Sequence, residues 1–288
     1  MTQKLLALVL NYENYLETIQ CVENLLRNSN IDKITILENG SKNDSHERLV
    51  IHFKNNKMIR ILNTEKNLGY SSGFNFGLRN EKINDYDGVL LVTSDTRIIE
   101  ANLSLEPFSN VAVIGPHIVD ENFEFSSFPI RKINLKYLIV VYLNVYIVEI
   151  LLRLKKILIP LFSRNRRSKN AYNKKNKIKF ETKNENVYMI HGCWLILTKE
   201  FFRHFKVIPC PTFLFAEEDF IAYNCKLRKM PIVHTDQIII QHYGQKSTNS
   251  SNRLFSWRRS QQRQAQKKLI QELSFCKLLR FWIDAKNS

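Results

Sequence analysis

In the first third of the chain, short apolar runs alternate with segments of helical periodicity, and no other feature limits the fold as strongly. Residues 5–10, 33–37, 59–62 and 88–92 read as strands. Between the first two, Tyr15, Ile19, Val22, Leu25 and Leu26 recur at helical spacing, in a helix expected over residues 14–28. Asn14-x-x-Glu17 offers it a capping-box start. A second helix from Ser45 carries Leu49, Val50 and Phe53, and residues 72–80 read as a third. Strands alternating with helices of about 10–15 residues imply a parallel sheet with right-handed crossovers. Further strands are expected at 111–114, 187–190, 194–197 and 238–240, with a turn at His191-Gly192-Cys193.

The strand 88–92 ends on a carboxylate, Asp95, between the hydroxyls of Ser94 and Thr96. In open α/β sheets ligands bind outside the carboxyl ends of the strands. Asp95 there suits a hard oxygen ligand for a divalent metal and its phosphates. Ser-Asp-Thr is equally good chemistry for capping a following turn or helix. Residues 67–77 place three glycines, Gly69, Gly73 and Gly77, between a strand and a helix, which permits close approach of a ligand. A helix N-terminus at that point favours an anion. Downstream, Glu217-Glu218-Asp219 opens a helical stretch over 220–227. Three carboxylates there either complement the helix dipole or supply a general base for a hydroxyl. His242 follows the strand at 238–240 and is either structural or a metal ligand.

Charge narrows the partners. The 288 residues hold 43 Lys and Arg against 27 Asp and Glu, a net charge of +16, which implies anionic partners. No nucleic-acid-binding motif or aromatic-interleaved basic strand accompanies that excess, so nucleic acid is not expected as a partner. The five cysteines, Cys21, Cys193, Cys210, Cys225 and Cys276, form no Cys-x-x-Cys pair. They argue against a disulfide framework or a zinc site and for a reducing compartment. The first apolar run is too short for a signal peptide, and a cytoplasmic location is expected. Residues 133–162 are densely apolar but interrupted by polar residues, with no stretch of the roughly 18–20 residues a bilayer span needs. Residues 164–179 carry eight basic residues and no acidic one. An apolar block beside a basic block suits attachment to an anionic bilayer surface, at the inner face of the cytoplasmic membrane. The other reading packs those residues against the domain or a partner chain. From Leu254 a basic helix is expected, with Leu269, Leu273, Cys276, Leu279 and Ile283 on one face.

Taken in order, several motifs form a series: Leu10-Asn11-Tyr12, Glu38-Asn39-Gly40-Ser41, Asn67-Leu68-Gly69 through Asn75, and Thr93-Ser94-Asp95. It continues with His191-Gly192-Cys193, Phe213 through Asp219, and His242. This series resembles that of family 2 glycosyltransferases, most of all the rhamnosyltransferase-like branch that builds bacterial surface polysaccharides. The likeness covers residues 4–125 and 186–248. It implies the α/β GT-A fold: a Rossmann-like, mostly parallel sheet flanked by helices, here with a helical and basic insertion and a C-terminal helix. The expected division is a nucleotide-sugar-binding half over 1–130, the insertion over 131–185, an acceptor and catalytic half over 186–250, and the basic helix over 251–288.

The resemblance also implies roles. Asn11 and Tyr12 would lie beside the nucleoside. Glu38, with Asn39 next to it, stands where the family usually has Asp and would accept a hydrogen bond from a pyrimidine ring N–H. Asn67, Gly69, Gly73 and Asn75 would shape the wall around the donor nucleotide. Asp95 would hold Mg2+ or Mn2+ against the diphosphate, with His242 completing the site. Gly192 and Cys193 would leave room for donor sugar and acceptor, beside Glu217. The base that deprotonates the acceptor would be Glu218 or Asp219; sequences of the type Phe-Leu-Phe-x-Glu-Glu favour Glu218. Thr93 departs from the pattern, standing where the branch often has Asn, and Lys229-Met230-Pro231 replaces an expected glycine. The implied activity is inverting transfer of a sugar from a UDP- or dTDP-sugar to a hydroxyl of a surface glycan, with a lipid-linked saccharide as acceptor. A catalytically degenerate nucleotide-sugar-binding protein is the alternative, with a basic nucleic-acid-binding protein ranked behind it.

Overall fold

A computed structural model of the chain describes residues 3–124, 129–132, 183–244 and 252–272. The insertion expected over 131–185 falls almost entirely outside these residues, as do Leu273, Cys276, Leu279 and Ile283. Met1–Lys132 and Glu181–Leu269 form one compact unit, to which everything below refers. Its elements run β1 (Leu5–Asn11), α1 (Tyr15–Leu25), β2 (Ile31–Glu38), α2 (Ser45–Phe53), β3 (Ile59–Asn63), α3 (Tyr70–Asn80) and β4 (Gly88–Thr93). They continue with β5 (Thr96–Ala101), β6 (Val113–Val119), β7 (Asn184–Val187), β8 (Trp194–Thr198), α4 (Lys199–His204), α5 (Glu217–Leu227) and β9 (Ile232–His242). A last helix, α6 (Asn252–Glu272), extends beyond the unit.

One sheet holds all nine strands, in the order β3-β2-β1-β4-β8-β6-β9-β5, with β7 also on β9. β3, β2, β1 and β4 pair in parallel, as the alternation requires. β8 reverses direction against β4 and β6, β6 and β9 run parallel to each other, and β5 and β7 oppose β9. The register aligns the strand ends: Asn11 lies opposite Glu38, Leu10 opposite Thr93, and Val92 opposite Trp194. The carboxyl ends of β1, β2 and β4 and the amino end of β8 therefore share one edge.

Both faces of the parallel half are covered, which is why its strands read as continuous apolar runs rather than alternating ones. Ala7, Val9, Ile34, Ile36, Leu90 and Val92 pack against Cys21, Val22 and Leu25 of α1 and Leu49 and Phe53 of α2. On the other face α3 lies so close that a Cβ on Gly77 would stand 2.7 Å from Leu37 and 3.2 Å from Leu8. The four cysteines among the described residues, Cys21, Cys193, Cys210 and Cys225, are buried and unbridged.

Several local expectations shift. The Asn14 side chain does not cap α1; its carbonyl accepts from the Thr18 amide (3.2 Å) and hydroxyl (3.0 Å). Glu17 is drawn off by Arg97 at 2.7 Å, a tertiary partner that outcompetes the local box. No helix follows Asp95. β5 does, an edge strand whose pairing with β9 is non-local and leaves little periodicity to read. β9 is far longer than 238–240, β7 precedes the expected 187–190, and α4 follows β8 where no helix is expected.

Candidate functional site

Asp95 sits in the turn between β4 and β5, at the shared strand edge. The Thr93 hydroxyl donates to its Oδ1 at 2.6 Å, and its Oδ2 lies 3.2 Å from His242 Nε2. These bonds orient the carboxylate, and with β5 following, helix capping is ruled out as its role. Burial pushes the Asp95 carboxyl up, but His242, Thr93 and its own backbone N–H more than offset this and hold it below the ordinary range. His242 arrives through pairing alone: it lies opposite Thr96 in β5, and the Tyr243 amide donates to the Asp95 carbonyl at 2.9 Å. Arg97 stiffens the turn from behind, donating to the Ser94 and Thr96 carbonyls at 2.8 and 2.7 Å.

The turn at 191–193 adds two more side chains. His191, Cys193 and His242 present ligand atoms that lie within 4.8 Å of one another. The His191 and His242 rings meet edge to face, 5.2 Å between centroids. The Cys193 amide donates to His191 Nδ1 at 3.0 Å. Burial, then the neighbouring His242, pushes the His191 imidazole down to about 4, so it is neutral at pH 7. With Nδ1 accepting, that neutral ring carries its proton on Nε2. The turn is also fastened to Thr93, whose amide and hydroxyl donate to the Cys193 carbonyl at 2.9 and 3.2 Å.

The carboxylates at the start of α5 face this turn. Glu218 Oε1 accepts from the Gly192 amide at 3.1 Å. A Cβ on Gly192 would stand 3.2 Å from that oxygen and from the Tyr70 hydroxyl, a tight fit that glycine avoids. Tyr70, buried, donates its hydroxyl to the Gly192 carbonyl. Burial raises the Glu218 carboxyl. Burial and the adjacent Glu218 raise Glu217 to about 8, and the buried Glu217 Oε2 has no hydrogen-bond partner among the described residues. The helix is entered through two non-glycine residues at positive φ, Phe215 (+70°) and Ala216 (+62°). Such backbone costs of order 1–3 kcal/mol per residue and collects at functional sites. Here it aims the carboxylates back at the 191–193 turn.

The remaining expected residues build the wall. Asn11 is fully buried; it donates to Glu38 Oε2 and accepts from the Thr18 hydroxyl at 2.7 Å. Glu38, also fully buried, accepts from the amide and hydroxyl of Ser41 through Oε1. Both side chains are spent inside the protein, tying β1 to the loop after β2. Asn39 donates to Asn67 Oδ1 (3.1 Å) and the Gly69 carbonyl (3.0 Å) and accepts from the Leu68 amide (3.0 Å). Asn75 exchanges two bonds with the backbone of Ile208, at 3.0 and 2.7 Å. A Cβ on Gly73 would stand 2.8 Å from Leu10. Tyr12 is half-buried, and burial, with Glu13 beside it, raises its phenol.

Asp95, His242, Gly192, Cys193, Glu217 and Glu218 thus share one end of the sheet, while Asn11, Glu38, Asn39, Asn67, Gly69, Gly73 and Asn75 are staples of the wall beside it. Asp219 lies in the same first turn of α5. Three contributors escape a reading of the sequence as site residues: His191, Thr93 as the donor that orients Asp95, and Tyr70. The Thr93-x-Asp95 spacing is the one available signal for Thr93; Tyr70 reaches Gly192 across 122 residues of chain, and His191 meets His242 from a separate segment.

No protein-family model and no curated protein sequence matches the chain. Solved structures do. GalNAc-T7, crystallised with UDP, GalNAc and Mn2+, superposes with a TM-score of 0.58 at 10% identity, over 84% of this chain and 44% of that one. A mannosyltransferase from Pyrobaculum calidifontis, PcManGT, in complex with GDP-Man and Mn2+, superposes with a TM-score of 0.51 at 9% identity, over 88% and 59%. The chain thus spans about half the length of these structures. At such identities the likeness is one of fold, and the fold is GT-A.

Proposed function

We propose that this chain is an inverting glycosyltransferase that moves a sugar from a nucleoside-diphosphate donor to a hydroxyl of a surface glycan. The observation that carries the reading is the meeting, at the carboxyl edge of a GT-A sheet, of the Asp95–His242 pair with the Glu217–Glu218 pair across the Gly192 turn. Both similar structures hold a nucleotide or nucleotide-sugar with Mn2+, which supports the same ligand class here. The donor set fits a divalent ion: Asp95 and His242 would hold it, with His191 and Cys193 adjoining. An imidazole beside a carboxylate suits a transition-metal ion better than Mg2+, which prefers an all-oxygen shell, so Mn2+ is the expected cofactor. Bound there, it neutralises charge building on the departing diphosphate.

The protein's own groups do the rest. Glu218 is fixed by the Gly192 amide and takes the proton of the acceptor hydroxyl as that oxygen bonds to C1 from the face opposite the leaving group. The C1–O bond to the diphosphate breaks in the same step, and the nucleoside diphosphate leaves with its electron pair. Glu217, raised to about 8, stays protonated at neutral pH, so a second charge does not crowd the base. The Nε2–H of neutral His191 is a donor suited to a phosphate oxygen. The apolar and basic segments at 133–179 suit a lipid-linked acceptor at an anionic membrane face.

Thermal stabilisation by UDP, dTDP and GDP, each with and without Mn2+, tests the donor site. Stabilisation that requires both nucleotide and Mn2+ is expected, and Asp95→Ala should abolish it together with transfer. Transfer by Asp95→Ala at near the wild-type rate would sink the metal assignment. Glu218→Gln and Asp219→Asn separate the two candidate bases; normal turnover in Glu218→Gln would give the role to Asp219.

A further inference from the structure

Away from the strand edge, β6 and β9 carry a second group of metal-ligating side chains that the transfer reaction does not use. His117 Nδ1 lies 3.1 Å from Asp236 Oδ1, and His234 Nδ1 lies 3.8 Å from the same oxygen. The two rings stand 5.8 Å apart. All three residues offer ligand atoms within 4.8 Å of one another, and both histidines are buried while Asp236 keeps some exposure. His234 lies eight residues back along β9 from His242, well removed from the first cluster.

We infer that His117, His234 and Asp236 form a second, structural binding site for a divalent transition-metal ion of the zinc type. Geometry is the first argument. A tetrahedral ion with bonds of about 2.0–2.1 Å to nitrogen and oxygen sets its ligand atoms about 3.4 Å apart. The separations of 3.1 and 3.8 Å to Asp236 bracket that edge, and the remaining pair of ligand atoms lies within 4.8 Å.

The second argument is how the cluster is built. The β6–β9 register runs Gly115–His234 and Pro116–Thr235, then jumps to His117–Ile239. Residues 236–238 thus bulge out of the pairing with β6, and bulges re-aim side chains. Asp236, the residue next in line for His117, is thereby released from the ladder, and its carboxylate lies beside the His117 ring. The bulge is tied down on several sides. The Thr235 hydroxyl donates to Asn184 Oδ1 at 2.7 Å and the Asp236 amide to the Lys183 carbonyl at 3.2 Å. The Gln237 carbonyl accepts from the Asn102 amide at 3.0 Å.

Charge is the third argument. Arg131, the cation beside His234, is matched by Glu185, both of whose oxygens lie 3.0 Å from its Nε. Glu185 stands opposite His234 across β7 and β9. Asp236 brings a carboxylate that faces both histidines, as a cation requires. Binding of the ion at Nδ1 requires the ring proton of His117 on Nε2, and solvent supplies the remaining ligand on the Asp236 side.

The test uses the full chain and Zn2+ alone. The double substitution His242→Ala and Cys193→Ser disables the cluster at the strand edge. In that background one equivalent of Zn2+ should still bind by calorimetry, and His117→Asn, His234→Asn and Asp236→Asn should each weaken it tenfold or more. No binding in that background, or binding that none of the three substitutions weakens, would overturn the proposal. If the background variant fails to fold, wild type and Asp236→Asn decide: the site requires the substitution to remove one equivalent of Zn2+, and an unchanged stoichiometry refutes it. Since Asp236 contacts nothing at the strand edge, nucleotide binding distinguishes this outcome from failure of the transferase reading.

Discussion

Thr93 illustrates how much a single hydroxyl decides at this site. Standing beside Asp95 without a second carboxylate, it supplies orientation instead, its hydroxyl donating to Asp95 Oδ1 while its amide donates to the Cys193 carbonyl. Partners of this kind typically change metal affinity 10–100-fold. Thr93→Val should therefore weaken Mn2+ binding by about that factor with the fold intact, and Thr93→Ser should restore it; titration of Mn2+ with UDP present measures both. Glu217 makes a second residue-scale prediction, through pH. Its carboxyl is raised from an ordinary 4.5 to about 8 in the folded chain, so across that window the native state holds a proton that the unfolded chain releases. Stability must then fall as pH rises through the window. Glu217→Gln is neutral throughout, so it should melt above wild type at pH 8.5 and with it at pH 4.5. Equal melting temperatures at pH 8.5 would show that the carboxyl is not raised.

At the scale of elements, the site depends on how α3 and α5 are started. Gly69 precedes α3 at φ +79°, and a Cβ there would stand 2.0 Å from the Phe213 carbonyl, which accepts the Tyr70 amide. Gly244 also has positive φ, at +35°, but nothing lies within 4 Å of the same added atom. Gly244→Ala should therefore cost only the left-handed backbone penalty, about 1–2 kcal/mol. Gly69→Ala should cost clearly more, because backbone must move as well. Denaturant unfolding of the two variants makes the comparison, and equal losses would show that the loop at 213 yields freely. α5 uses strain in the other direction. Ala216→Gly should relieve its left-handed conformation and raise stability. It should also slow turnover by loosening the aim of Glu218, which kcat reads separately from the melting temperature.

On the scale of the whole molecule, the charge of +16 is the property most open to experiment. Binding to anionic vesicles should be strong at low salt and fall steeply towards physiological salt, while zwitterionic vesicles bind little. Co-sedimentation that ignored lipid charge would remove the electrostatic argument for a membrane-bound acceptor. Among the described residues no helix is long and apolar enough to cross a membrane. The sequence alone determined the parallel half of the sheet, because apolar runs and helical spacing are local and repeat. It also determined where Asp95 would stand, since a buried strand must end at its carboxyl edge. Only the tertiary structure decided that β5 pairs with β9 to bring His242 onto Asp95, and that β6 pairs with β9 to group His117, His234 and Asp236. It decided too that Asn11 and Glu38 turn inward to each other. Antiparallel pairing, bulges and side-chain partners are chosen between segments far apart in the chain, where no local period records them.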